Sequence, residues 1–526
     1  MRIRSLVVAA LVTLVARGAA AQQPSTFVML LNGDTLAVEK VTRTAGHLDG
    51  DFSAPARGAR VRYAATLNTD GTVPRMEMWA YHGSDTAGSH ATLQLQGDSM
   101  KLEMPGRSLG FATKAGAVPY FNPSMGLLEQ AVIRARTLAG TEKTTEVPLF
   151  ASEGGATVPL SVTFVGSDSA HLILGGIAMN IALGVDGRVT GMSVPSQNVR
   201  VVRIEGARAA PTAAKIDYSA PADAPYTAEE VTIRTPKGLK LTGTLTLPKA
   251  RPARGVPAIV TITGSGTEER DESIPGVNGY RPFRQIADTL GRRGIAVLRL
   301  DDRGAGGSDM GPSGAQGPTS ADFADDIRAG LAYLRTRAEI DTARLGLVGH
   351  SEGGLIAPMV AATDPKLRAI VLMAGPAQTG RTILKYQNEY AVDSMLKLTG
   401  ARRDSALRDA GVKLDSAAKT MPWIQFFLDY DPIATAKRVK QPVLILQGAT
   451  DRQVTPEQAP ALAAAFRAGG NRDVTMRIFP STDHLFLADV AGNPSGYASL
   501  PSKNLRPDVL GAIADWLVTK LVSEGK

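Results

Sequence analysis

The sequence has no cysteine, only six histidines, and aromatic side chains at 5%. The missing cysteine excludes disulfides, thiolate metal sites and a cysteine nucleophile together. No basic run interleaved with aromatics is present, so the formal charge of +8 does not mark a nucleic-acid-binding chain. Long apolar runs are also scarce. The one near the start, Leu6 to Ala16, is shorter than the ~20 residues that a membrane helix needs. With 44% hydrophobic and 21% charged residues, the chain is neither disordered nor a multi-span membrane protein. Its 526 residues exceed what one core usually holds, about 250–300, so two domains are expected.

Arg2 and Arg4, the apolar run and Ala19-Ala20-Ala21 follow the order of a secretory signal peptide over residues 1–21. Its removal takes Arg2, Arg4 and Arg17 and lowers the formal charge from +8 to +5. The expectation is a bacterial periplasmic or secreted protein with no stable membrane anchor after cleavage.

Residues 22–211 read as short strands and turns, an antiparallel β domain in the form of a sandwich or curved half-barrel. Leu67 to Met76 and Leu183 to Met192 share the pattern L-x-x-D-G-x-V-x-x-M. Asp-Gly between alternating runs signals a hairpin, and the two copies suggest related modules or two independent hairpins. A helical period is evident near Met125 to Leu138. Residues 212–230, rich in Pro and Ala, read as a linker.

From residue 231 to 526 apolar runs alternate with helix-length segments: Ala258 to Ile262, Ile295 to Leu300, Leu345 to Val348, Ala369 to Met373, Val443 to Leu446 and Val474 to Phe479. That alternation predicts an α/β domain with a mostly parallel sheet covered on both faces. Gly349-His350-Ser351-Glu352-Gly353 follows one such run and opens a helix, the setting of a nucleophile elbow. A serine hydroxyl needs a base to take its proton. Four histidines (His47, His82, His90, His171) fall in the β domain and His350 adjoins the serine, which leaves His484. Asp451, just past the run Val443 to Leu446, is the expected third member, with Asp483 and Asp429 as competing acids. An oxyanion hole needs two backbone N–H groups. Glu352, after the nucleophile, and Ser265, in the loop Thr263 to Thr267, are the candidates.

This half resembles the α/β-hydrolase superfamily, and is most similar to bacterial secreted hydrolases related to the serine aminopeptidase-like and dienelactone-hydrolase-like groups. The resemblance rests on the glycine loop with Arg270-Asp271 behind it, the turn Asp301 to Ser308, the elbow, and the acid and histidine loops. It specifies fold and triad, not substrate. The β half lacks the blade period of a propeller, and Thr263 stands where another lipase branch has a His-Gly-Gly-Gly loop. The resemblance implies a helical cap at about 378–440, in which Trp423, Phe426 and Phe427 either line an apolar pocket or pack the cap onto the sheet. The expected activity is hydrolysis of a small carboxylic ester, neutral or weakly charged, through an acyl-enzyme, with no metal or organic cofactor. A peptidase using Glu268, Glu269 or Glu352 to hold a substrate amino terminus is the first rival. The second is a polymer- or lipid-binding protein with a vestigial hydrolase half.

Overall fold

Residues 24–522 are described in a computed structural model, apart from the short segments 32–33, 55–58, 83–87, 153–154, 207–215, 275–276 and 312–317. The expected signal peptide lies outside the described residues.

The first half is one continuous sheet rather than two stacked ones. Its strands are β1 (Ser25–Leu31), β2 (Asp34–Arg43), β3 (His47–Ala54), β4 (Ala59–Thr66), β5 (Arg75–His82), β6 (Ser89–Gln96), β7 (Ser99–Met104), β8 (Arg107–Ala112), β9 (Val118–Tyr120), β10 (Thr144–Ala151), β11 (Ala156–Val165), β12 (Ser169–Leu174), β13 (Ile177–Leu183), β14 (Val189–Val194) and β15 (Val199–Glu205). Neighbours in sequence are mostly neighbours in space, and β1 pairs with β15 to join the two halves of the meander. Period-two patterning gives the sheet an inner and an outer face. In β3, for example, Leu48, Gly50, Phe52 and Ala54 face in while alternate residues face out. The far ends approach each other: the rings of Phe111 (β8) and Phe150 (β10) are 5.7 Å apart, and the Thr113 and Thr157 hydroxyls are 2.6 Å apart.

The inner face packs on one helix, α1 (Met125–Ala139). Ser124 caps it, and so does the buried Glu39 of β2, which accepts from the Met125 N–H (2.5 Å), the Gly126 N–H (3.2 Å) and the Ser124 hydroxyl (2.7 Å). The two L-x-x-D-G copies are the β4–β5 and β13–β14 hairpins. Adjacent residues of α1 hold them: Gln130 donates to the Gly71 carbonyl (2.8 Å), and Glu129 accepts from the Val189 N–H (3.1 Å).

In the second sheet β16 (Tyr226–Arg234), β17 (Lys240–Pro248), β18 (Val256–Ile262), β19 (Ala296–Leu300), β20 (Ile340–His350), β21 (Ala369–Met373), β22 (Val443–Gly448) and β23 (Val474–Phe479) lie in the order β16-β17-β19-β18-β20-β21-β22-β23. From β19 across to β23 the pairs are parallel, while β16–β17 and β17–β19 are antiparallel. The central strands are buried on both faces. α3 (Ser320–Thr336), α4 (Glu352–Ala361) and α9 (Gln458–Ala468) cover one face; α2 (Pro282–Arg292) and α10 (Pro507–Leu517) cover the other. The expected boundary shifts here: β16 begins at Tyr226, inside the stretch read as linker, because its alternation of polar and apolar residues does not resemble the apolar runs that follow. Four helices, α5 (Gly380–Tyr390), α6 (Gly400–Thr420), α7 (Pro422–Asp429) and α8 (Pro432–Ala436), fill the interval between β21 and β22. Among the described residues no helix is long and apolar enough to cross a membrane.

Candidate active site

β20 ends in a sharp turn into α4. Ser351 sits at the turn with φ 53° and ψ −116°, a backbone region that side-chain-bearing residues rarely adopt. Its N–H is tied to the Met373 carbonyl of β21 at 2.8 Å. The flanking glycines are needed for space rather than for a positive φ. A Cβ on Gly349 would lie 2.1 Å from the Gly353 carbonyl oxygen, and one on Gly353 would lie 2.1 Å from the Ile262 carbonyl oxygen of β18. A residue larger than glycine at either position would push the elbow off the sheet.

The loop after β23 brings His484 to the elbow, with Nε2 3.1 Å from Ser351 Oγ. Its Nδ1 lies 2.8 Å from Asp451 Oδ2. Asp451 is fully buried beyond β22 and accepts three further bonds: from Gln447 Nε2 (2.9 Å) and from the backbone N–H groups of Gln453 (2.8 Å) and Val454 (2.9 Å). A carboxylate can only accept, so the His484 proton sits on Nδ1 and Nε2 is left to accept from the serine. The competing acids stand apart. Asp429 is exposed at the end of α7. Asp483 points into its own loop, where it accepts from the Leu487 N–H (2.9 Å); burial pushes its carboxyl up to about 7.

Ser265 is exposed at the rim beside Ser351, and the buried Glu352 opens α4. The N–H of Gly264 is taken by Glu272 Oε1 at 2.7 Å. Thr263 and the Glu268 N–H are held by Asp302 Oδ2 (2.8 and 3.0 Å). Arg303 is tied back to Asp326 and Asp322 of α3. The turn Asp301 to Ser308 thus braces the glycine loop.

A cavity of about 370 Å³ opens over Ser351. Its apolar wall includes Ile274, Ile383, Leu384, Phe427, Val454 and Leu485; its polar wall includes Glu268, Glu272 and Glu352 and, among the described residues, no lysine or arginine. Of the expected pocket residues, Trp423 and Phe427 line the cavity as a stacked pair, 5.5 Å between centroids and 6° between planes. Phe426 does not: it stacks on Tyr430 (5.3 Å), since successive helical side chains point about 100° apart. Trp423 is also not purely apolar. Its indole N–H donates to Glu352 Oε1 (3.0 Å), which accepts from the Ser320 hydroxyl (2.5 Å) as well. Burial raises the Glu352 carboxyl above its ordinary value, and the Ser320, Trp423 and Ser265 side chains work against that rise.

The family model described as serine aminopeptidase, S33, matches residues 277–491, from the glycine loop's far side through the acid loop to the segment after His484. That match agrees with the strand order and the strand–elbow–helix geometry. The second half of the chain has the α/β-hydrolase fold. An esterase of Thermotoga maritima, EstD, is 27% identical over 289 residues, covering 53% of this chain and 65% of its own length. Dipeptidyl aminopeptidase BIII of Pseudoxanthomonas mexicana is 27% identical over 252 residues, 46% of this chain and 33% of its own length. This chain therefore spans less than two thirds of the length of the curated relatives it matches. Among solved structures, an esterase of Pyrococcus furiosus aligns with 17% identity and a TM-score of 0.40, over 59% of this chain and 96% of that one.

Gln447 and Glu272 were not singled out from the sequence; His350 was set aside as the neighbour of Ser351, and Glu268 was named only as an anchor for a peptidase substrate's amino terminus. Gln447 orients Asp451 from within β22, and a glutamine in an otherwise apolar strand was the available signal. Glu272 and His350 are buried under the elbow. Glu268 lines the cavity with its Oε2 buried and without a hydrogen-bond partner. Burial, then the nearby carboxylates of Glu272, Asp302, Glu269 and Glu352, raise its carboxyl well above the usual range. Among the described residues no group of three or more His, Cys, Asp or Glu is placed to hold a metal ion.

Proposed function

We propose that the protein is a serine ester hydrolase that works through an acyl-enzyme. The observation that carries this reading is the linear relay Ser351 Oγ to His484 Nε2 (3.1 Å) and His484 Nδ1 to Asp451 Oδ2 (2.8 Å) at the foot of a cavity. Ser351 attacks the ester carbonyl as His484 takes its proton, and the oxyanion forms against the N–H groups of Ser265 and Glu352. His484 then returns the proton to the leaving alkoxide. Water repeats the cycle on the acyl-enzyme, with His484 again as base. Asp451 holds the imidazole tautomer and stabilises its cationic form. A named esterase among the relatives supports the ester as substrate. Among the described residues the cavity wall carries carboxylates and no lysine or arginine, so an anionic acyl group is disfavoured and a neutral one fits. An exported location follows from the leading residues Arg2 to Ala21 and is part of this proposal.

Ser351→Ala tests the core of the reading: turnover of nitrophenyl esters and labelling by a fluorophosphonate should both disappear while the melting temperature holds. Undiminished ester hydrolysis in that variant refutes it. Failure of the parent chain to take the label would favour the vestigial, ligand-binding alternative.

A second reading has one observation in its favour. The unpartnered Glu268 oxygen in the cavity could receive a substrate ammonium group, which suits an aminopeptidase. Parallel assays on acyl nitrophenyl esters and aminoacyl nitroanilides separate the two; faster anilide cleavage, lost in Glu268→Gln, would favour the peptidase.

A further inference from the structure

His350, one residue before the nucleophile, is only 2% exposed, and its ring lies 5.0 Å from that of His484, centroid to centroid. Its Nε2 is 2.9 Å from the main-chain oxygen of His484. A carbonyl oxygen only accepts, so Nε2 carries a proton. Its Nδ1 is 2.8 Å from Glu272 Oε1, the same oxygen that accepts the Gly264 N–H at 2.7 Å. One proton therefore lies between Nδ1 and Oε1, and the pair is either imidazolium–carboxylate or neutral ring–carboxylic acid. Burial opposes a charged ring, but the Glu272 carboxylate, the His484 carbonyl and Asp451 outweigh it and raise the His350 pKa. Glu272 itself is held at φ 61°, a left-handed conformation unusual for a glutamate. A Cβ on Gly264 would meet Glu272 Oε1 at 3.1 Å and Ser351 Cβ at 3.5 Å, so loop, pair and nucleophile are in close register.

We propose that Glu272 and His350 are positioning residues that fix the glycine loop and the His484 main chain at one spacing over Ser351. The inference rests on the serine ester hydrolase reading. One end of the pair holds the amide that precedes the Ser265 oxyanion donor; the other holds the backbone that carries the base. Both of those groups act in the transition state more than in ground-state binding, so loss of the pair should lower kcat and leave KM nearly unchanged. Glu272→Gln keeps the shape but removes the carboxylate that shares the proton: a neutral Nδ1 can then be met only by the amide NH2, which leaves the Gly264 N–H without its acceptor.

The test counts active sites with a fluorophosphonate and measures kcat per site for Glu272→Gln, His350→Gln and the double variant. We expect each single variant to lose kcat about 10- to 100-fold, the scale of a misplaced catalytic group, with KM within about three-fold and a double variant no worse than about three-fold below the poorer single one. A structural role alone would lower the melting temperature and the number of active sites but not kcat per site. Parent-like kcat per site in either single variant, or losses that multiply in the double one, overturns the proposal. Nitrogen NMR of the unaltered, histidine-labelled protein gives a second reading that needs no variant: His350 Nε2 should be protonated across the stable pH range, and an unprotonated Nε2 also overturns it. Activity that survives Ser351→Ala would instead strike the hydrolase reading, which keeps the two failures distinct.

Discussion

Asp451→Asn is the substitution whose effect follows most directly from the site. Asp451 accepts four hydrogen bonds, two on Oδ1 from backbone N–H groups and two on Oδ2 from His484 Nδ1 and Gln447 Nε2. An asparagine can keep the first two through its oxygen. Its NH2 group then faces two donors, and His484 relieves the conflict only by shifting its proton to Nε2, the atom that must accept from Ser351. The charge is lost as well. A carboxylate about 4 Å from an imidazolium stabilises it by about 4 kcal/mol at an effective dielectric near 20, which is about three decades in rate at 1.36 kcal/mol per decade. With the tautomer penalty added, kcat should fall about 10³- to 10⁴-fold, the larger figure being about what the same substitution costs in a serine protease. KM should change little, because Asp451 is not among the residues lining the cavity. Steady-state hydrolysis of a nitrophenyl ester, with calorimetry to verify folding, checks this. A folded variant that loses less than ten-fold in kcat would refute the assignment of Asp451 as the acid and return attention to Asp483.

Three further outcomes are expected. Asp483 has a folded pKa of about 7 against an ordinary value of 3.8, so between about pH 4 and 7 the folded chain holds a proton that the unfolded chain has released. Stability should therefore fall as pH rises through that window and level off above it, and Asp483→Asn should melt higher than the parent at pH 8 but not at pH 4. Glu129→Ala leaves the buried Arg43 and Arg203 without their shared carboxylate (3.3 and 2.7 Å). It should cost the β half about 3–5 kcal/mol, read as a lower first calorimetric transition with kcat per site unchanged. Gly353→Ala drives a methyl into the Ile262 carbonyl, and soluble chain from that variant should take up little or no fluorophosphonate.

What the sequence made legible was whatever depends on local pattern. The buried parallel strands appear as apolar runs because both their faces are covered, and the elbow appears as a motif because its glycines are fixed by backbone approaches across β18 and α4. Elimination could reach His484 because the chain is so poor in histidine. The same elimination set His350 aside, since adjacency to Ser351 says nothing about where the next side chain along the strand is directed. That direction is set by the alternation of β20 and by the loops of Glu272 and His484, which meet it from 78 and 134 residues away. Phe426 shows the complementary limit. The aromatic cluster was visible, but which ring faces the cavity depends on the rotation of α7, and packing against α5, α6, α3 and Glu352 fixes that rotation. The β16–β17 hairpin was read partly as linker for a related reason: an edge strand with one wet face alternates like its surroundings. Residues that act by forming a bond across the fold, such as Gln447, Glu272 and Asp302, leave only a polar letter in an apolar or glycine-rich stretch. In a buried site such a letter is worth a hypothesis, because an unpaired polar group there would cost more than most side chains can return.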